Sequence, residues 1–166
     1  NAIVTITVAD VNDRPTVQDI SSRGVEDSDI VDSLSGEDLD ADALIFSVIS
    51  SPSNGTVTIT GDTFTYTPDV NYFGPDSFTY KANDGLLDSI TATVSLTVTA
   101  ANDAPTIEDL TATGVEDTEI IRRFTGADLE GDALSFIVVA EPTHGTISIT
   151  ADQYTYIPEK DFVGED

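Results

Sequence analysis

The sequence predicts an all-β chain built as antiparallel β-sandwiches in tandem. Three observations carry that prediction. Apolar residues alternate with Thr and Ser at a period of two. Clusters of Gly, Pro, Asn and Asp separate the runs. One set of short motifs occurs twice, at an unbroken offset of 90 residues.

The alternation is the signature of half-buried strands, in which successive side chains face opposite sides of a sheet. Ala92, Val94, Leu96 and Val98 share one face, and Thr91, Thr93, Ser95 and Thr97 share the other. Val57 and Ile59 alternate with Thr56, Thr58 and Thr60, Phe64 and Tyr66 with Thr63, Thr65 and Thr67. Phe78, Tyr80 and Ala82 follow the same rule. No segment has helical periodicity. About seven short strands per repeat make a sandwich of immunoglobulin-like type.

The repeat sets the domain plan. Asn12-Asp13-Arg14-Pro15 returns as Asn102-Asp103-Ala104-Pro105, and Gly24-Val25-Glu26-Asp27 as Gly114-Val115-Glu116-Asp117. Asp38-Leu39-Asp40-Ala41-Asp42 returns as Asp128-Leu129-Glu130-Gly131-Asp132, and Phe64-Thr65-Tyr66 as Tyr154-Thr155-Tyr156. Residues 1–10 match residues 91–100 and read as the last strand of a preceding repeat. Residues 11–100 form one repeat. Residues 101–166 form a second, ending before its last two strands. That second repeat is expected to expose part of its core, to fray, or to borrow a strand whose natural donor is Ile3, Val4, Ile6 and Val8.

Composition bounds the partners. Of 166 residues, 31 are acidic and 6 basic, a formal charge of -25. Such a charge opposes compaction unless cations offset it. It argues against nucleic acid, whose phosphates need Lys and Arg, and against an anionic membrane surface. The 39% hydrophobic content suffices for a core. Without Cys there are no disulfides or thiolate metal sites. No run approaches the ~18 apolar residues of a membrane helix.

The acids are concentrated in short loop motifs: Asp10-Val11-Asn12-Asp13-Arg14-Pro15, Asp38-Leu39-Asp40-Ala41-Asp42 and Asn83-Asp84-Gly85. Carboxylates two residues apart repel unless a cation lies between them. Ca²⁺ takes about 6–8 oxygen ligands from carboxylates, carbonyls and Asn. The plainer reading is that Asp and Asn simply favour turns; it holds best for Asp62 and Asp152.

The order of these motifs resembles the cadherin family, in particular the cadherin-like tandem repeats of large bacterial adhesins. The resemblance rests on the D-x-N-D-x-P linker at Asp10–Pro15, V-x-E-D at Val25, D-x-D at Asp40 and Asp42, and Tyr80-x-Ala82-x-Asp84-Gly85. It implies Ca²⁺ bound where successive repeats meet. A first junction would use Asp10, Asn12, Asp13, Asp40, Asp42 and Asp84. A second would use Glu26, Asp69, Asn71, Asn102, Asp103, Glu130 and Asp132. Ala100 stands where Asp10 does, and Glu130 where Asp40 does, so the second junction departs from the pattern.

The resemblance further implies an extracellular or cell-surface repeat module of an adhesin or secreted protein. Calcium would stiffen the array for cell adhesion. Its other partners would be neighbouring repeats of the same chain and either the same protein on other cells or a surface polysaccharide. The competing reading is a carbohydrate-binding module of a secreted polysaccharide-degrading enzyme. An enzyme in its own right is not expected. The one His, His144, aligns with Asn54 in a turn before Gly, both being residues that tolerate positive φ, and this leaves no base for a serine triad. Of the five tyrosines, Tyr66, Tyr72, Tyr80, Tyr154 and Tyr156, most fall on apolar-alternating positions and read as core rather than as a platform for sugars.

Overall fold

A computed structural model describes residues 3–9 and 11–166. The chain divides into two compact units, Asn1–Ala101 and Asn102–Asp166.

The first unit is a two-sheet sandwich. One sheet pairs β2 (Ile20–Val25), β9 (Ala92–Thr99), β8 (Gly74–Asn83) and β5 (Ile45–Ser50) in the order β2-β9-β8-β5. The other pairs β3 (Ile30–Ser33), β7 (Thr63–Pro68) and β6 (Gly55–Thr60) in the order β3-β7-β6. A short ladder joins β1 (Thr16–Val17) to β4 (Gly36–Glu37). The predicted alternation is realised: Ala92, Val94, Leu96 and Val98 are at most 4% exposed, and Phe64, Tyr66, Phe78, Tyr80 and Ala82 are fully buried. Phe64 meets Phe78 edge-on at 5.2 Å, across the two sheets. Each such aromatic removes a large apolar area from water, and together they dominate the core.

One pair departs from the antiparallel rule. β2 runs parallel to β9, with Ile20 beside Val94. Parallel neighbours require a long crossover, and here the intervening strands of the sandwich supply it.

The second unit repeats this plan in part. β11 (Ile120–Arg123), β14 (Gln153–Pro158) and β13 (Gly145–Thr150) reproduce the β3-β7-β6 sheet. β10 (Thr106–Ile107) pairs with β12 (Gly126–Ala127) as β1 does with β4. Residues 110–115 and 135–140, the counterparts of β2 and β5, form no strands. In the first unit those strands bond to β9 and β8, neither of which has a counterpart strand in the second unit among the described residues, and a ladder needs two partners. Val115, Ile137 and Val139 are accordingly 71%, 80% and 92% exposed. Residues 3–9 likewise join no sheet among the described residues, with Ile3, Val4, Ile6 and Val8 more than 80% exposed.

The reason for Asn54-Gly55 and His144-Gly145 differs from the expected one. Neither Asn54 nor His144 has positive φ; Asp27, Ala41, Asn71, Asp117, Ala151 and Asp161 do. Hydrogen bonds to the Asn54 carbonyl hold the position instead: it accepts from the Asp69 N–H and from the Tyr66 hydroxyl. Glycine follows because a Cβ at Gly55 would collide with the Thr67 carbonyl oxygen and stand 2.8 Å from the Tyr66 ring. Gly145 meets the Tyr156 ring in the same way.

Candidate metal centre

The loop before β5 is folded by its own first carboxylate. Asp38 Oδ1 accepts the N–H groups of Asp40 at 2.9 Å and Asp42 at 3.2 Å. Ala41, between them, takes a left-handed conformation, φ 61°. The turn brings one carboxylate oxygen each from Asp38, Asp40 and Asp42 within 4.8 Å of the others. Asp40 Oδ2 accepts the Asp13 N–H at 2.6 Å, tying the loop to residues 12–15. Asn12 Nδ2 donates to Asp84 Oδ2 at 3.0 Å and so brings in the turn after β8. In that turn Asp84 Oδ1 accepts from Leu86 and Leu87. The N–H of Leu87 and the Asn12 amide hold the Asp84 carboxyl below its ordinary range.

Three loops of one unit thus converge through Asn12, Asp13, Asp40 and Asp84, with Asp42 beside them. Asp10 lies outside the described residues. Asp38 is not among the expected ligands, yet it organises the turn. Its signal in the sequence is the return of the motif as Asp128, which accepts the Asp132 N–H at 2.9 Å.

The electrostatics are one-sided. Like charges near 5 Å repel by roughly 1 kcal/mol in water and about 3 kcal/mol at an effective dielectric of ~20. The ion pairs among described residues link Lys81 to Asp88, Arg123 to Asp152 and Lys160 to Asp161, and none reaches this cluster. Asp38 Oδ2 is buried with no hydrogen-bond donor among the described residues. A buried carboxylate oxygen without a donor is costly, and a hard cation with oxygen ligands fits such a set.

At the other end of the same unit, Glu26 is 2% exposed. Its Oε1 accepts the Ala101 N–H at 2.7 Å. Its Oε2 is buried without a donor among the described residues. Asn71 lies beside Asp27, whose Oδ1 accepts the Asn71 N–H at 2.9 Å. Asp69 is exposed and bonds through its backbone.

The second unit repeats the arrangement of Asp13 and Asp40. Asp103 N–H donates to Glu130 Oε2 at 3.0 Å, as Asp13 does to Asp40. Glu130 Oε1 is buried without a donor among the described residues. Asn102 Nδ2 donates to the Asp103 carbonyl at 3.0 Å. The longer Glu side chain therefore makes the same backbone bond as the Asp it replaces.

A carboxylate that no motif singles out ties down the β5–β6 turn. Asp76 accepts N–H bonds from Ser53 and Asn54 and the Tyr66 hydroxyl at 2.9 Å. Asp166 does the same for Thr143, His144 and Tyr156. Burial works upward on Asp76, but these donors outweigh it and hold its pKa below the ordinary value.

Fold and loops define a tandem sandwich module of immunoglobulin-like topology with acidic loop clusters. Comparison with known proteins gives the same class. The chain belongs to the bacterial Ig domain family, which matches residues 12–97 and 102–166. Among curated proteins it is similar to integrin beta-like protein E of Dictyostelium discoideum, 38% identical over 52% of this chain and 5% of that protein. It is also similar to integrin beta-like protein A of the same organism, 31% identical over 84% of this chain and 8% of that protein. The chain therefore spans less than a tenth of these relatives. Among solved structures, a PcdhgB3 EC1-4 structure covers 92% of this chain and 42% of its own, at 16% identity and a TM-score of 0.59. The protocadherin GammaB4 extracellular domain covers 95% and 31%, at 17% identity and a TM-score of 0.56. These share the cadherin-like fold. The endo-fucoidan hydrolase MfFcnA4 covers 89% and 24%, at 21% identity and a TM-score of 0.41. Among the described residues no helix is long and apolar enough to cross a membrane.

Proposed function

We propose that this chain is a calcium-binding, extracellular repeat module of a bacterial surface adhesin or secreted protein. Calcium at the ends of its sandwiches stiffens the array that carries adhesion. The observation that carries the reading is Asp38: its turn gathers three carboxylates within 4.8 Å, and one of its oxygens is buried with no donor among the described residues. Ligands at this end are Asp38, Asp40 and Asp42, with Asn12, Asp13, Asp84 and Asp10. Candidate ligands at the other end of the first unit are Glu26, Asp69 and Asn71, and those of the second unit are Asn102, Asp103, Glu130 and Asp132. The fold shared with cadherin domains and the integrin beta-like relatives support an adhesive setting outside the cell.

None of the first unit's tyrosines offers the carbohydrate-binding reading an exposed ring, and Phe73 is its one exposed aromatic among the described residues, at 46%. Tyr66 and Tyr80 are fully buried. Tyr72 packs against the core and donates its hydroxyl to the Pro75 carbonyl.

Calcium titration by calorimetry is the test. Binding at about 10⁻⁴–10⁻³ M, typical of extracellular modules, is expected. It should weaken in Asp38→Ala and separately in Asp132→Ala. Absence of binding at ten millimolar calcium defeats the reading. Scattering with and without chelator tests stiffening, with a shorter maximum dimension expected in chelator.

A further inference from the structure

Each sheet end in the first unit is a row of unpaired backbone groups, open to another strand unless something blocks it. Three of the four edges of the two main sheets carry a block. β2 has the exposed Arg23. β3 has Asp32. β5 is interrupted by a bulge between Val48 and Ser50. The fourth edge, β6, has none of these. It is Gly55-Thr56-Val57-Thr58-Ile59-Thr60, regular against β7 over its whole length, with no charge and no proline.

The same contrast returns in the second unit. β11, at one edge of its three-stranded sheet, carries Arg122 and Arg123. β13, at the other, is Gly145-Thr146-Ile147-Ser148-Ile149-Thr150, again uncharged and regular against β14. A chain with a formal charge of -25 therefore keeps the same edge of both repeats neutral. Copies of so acidic a chain repel elsewhere, so these strips are where their backbones can approach at least electrostatic cost.

The two strips also read the same in both directions. Reversed about Thr58, Val57 falls opposite Ile59 and Thr56 opposite Thr60. Reversed about Ser148, Ile147 falls opposite Ile149 and Thr146 opposite Thr150. Two antiparallel copies would thus set β-branched apolar residues against each other on the core side and hydroxyls on the solvent side, a favourable cross-strand match. A two-fold axis through Thr58 makes the contact self-complementary.

We propose that β6, and equally β13, is a docking edge for a second copy of this chain, which adds its own edge strand antiparallel and joins two three-stranded sheets into one. The occupant is a second copy because the edge is complementary to itself and its neutrality serves an equally acidic partner. This goes beyond the calcium reading and uses none of its residues.

Sedimentation velocity over a concentration series, in calcium and screening salt, tests it on the whole chain. Self-association is expected. The double variant Thr58→Lys with Ser148→Lys sets like charges opposite each other at exposed positions and should weaken association roughly tenfold or more, with the circular dichroism unchanged. Val31→Lys with Ile121→Lys, on the opposite edges, should leave association as it was. If the double variant at positions 58 and 148 misfolds, mixed isotope labelling of the unaltered chain decides, with intermolecular cross-peaks between residues 57–59 expected. A chain monomeric throughout the series overturns the proposal. So does association that survives the Thr58→Lys/Ser148→Lys change, or that is lost only on deleting residues 1–9.

Discussion

The backbone N–H of Asp13 donates to the carboxylate of Asp40 at 2.6 Å, across 27 residues of chain. The bond orients the linker by means of the acid loop, so one carboxylate both shapes the chain and offers its remaining lone pairs outward. Asp103 and Glu130 repeat it at 3.0 Å. Asp38→Ala, which removes the anchor of that loop, is expected to lower calcium affinity by about 10-fold or more, since losing a group that orients metal ligands typically costs 10–100-fold. Calorimetry reads the change, and retained affinity would remove Asp38 from the site.

Calcium should stabilise the fold by mass action. At ~10-fold excess over the dissociation constant, one site adds roughly 1.4 kcal/mol. For a domain of this size that is about 5–10 °C in melting temperature. Thermal melts with calcium, with magnesium and with chelator check it. Calcium should act more strongly than magnesium, which demands tighter octahedral geometry.

Glu26 makes a sharper test, because its carboxylate is buried with only one oxygen satisfied among the described residues. Glu26→Gln removes a buried charge and keeps an acceptor for the Ala101 N–H. In chelator the variant should be as stable as the parent or more so, by up to about 1 kcal/mol. In calcium the order should reverse, because the parent gains a ligand that the amide replaces poorly. Denaturant titration in both buffers shows whether the order crosses.

Acid should loosen the β5–β6 turn. The folded pKa of Asp76 is depressed, so the unfolded chain binds its proton first as pH falls. Its contribution is complete above the unfolded value of about 3.9 and is lost as pH drops through the folded value. Asp76→Asn should flatten the pH dependence of stability below about pH 4. Tyr66→Phe, which deletes one donor to that carboxylate, should cost about 1 kcal/mol at neutral pH.

Core and surface apolar residues should separate cleanly. Leu96 is 2% exposed, whereas Ile45 is 67% exposed. Leu96→Ala should cost about 2–5 kcal/mol, and Ile45→Ala no more than about 0.5 kcal/mol. Denaturation midpoints at equal slope measure both.

The strands, their inward faces, the repeat and the acidic loops are legible in residue order alone. All of these are periodic or local properties, and the burial of Val94, Leu96, Phe78 and Tyr80 follows from alternation. Other features exist only in the folded chain. The parallel pairing of β2 with β9 depends on where a long crossover returns. The roles of Asp38 and Asp76 depend on which backbone amides the folded loops present to them. Gly55 is required by the Thr67 carbonyl and the Tyr66 ring, which only strand pairing and packing place against it. The absence of strands at residues 110–115 and 135–140 shows the reason plainly: alternation specifies which face is apolar, but a strand exists only when another backbone completes its hydrogen bonds.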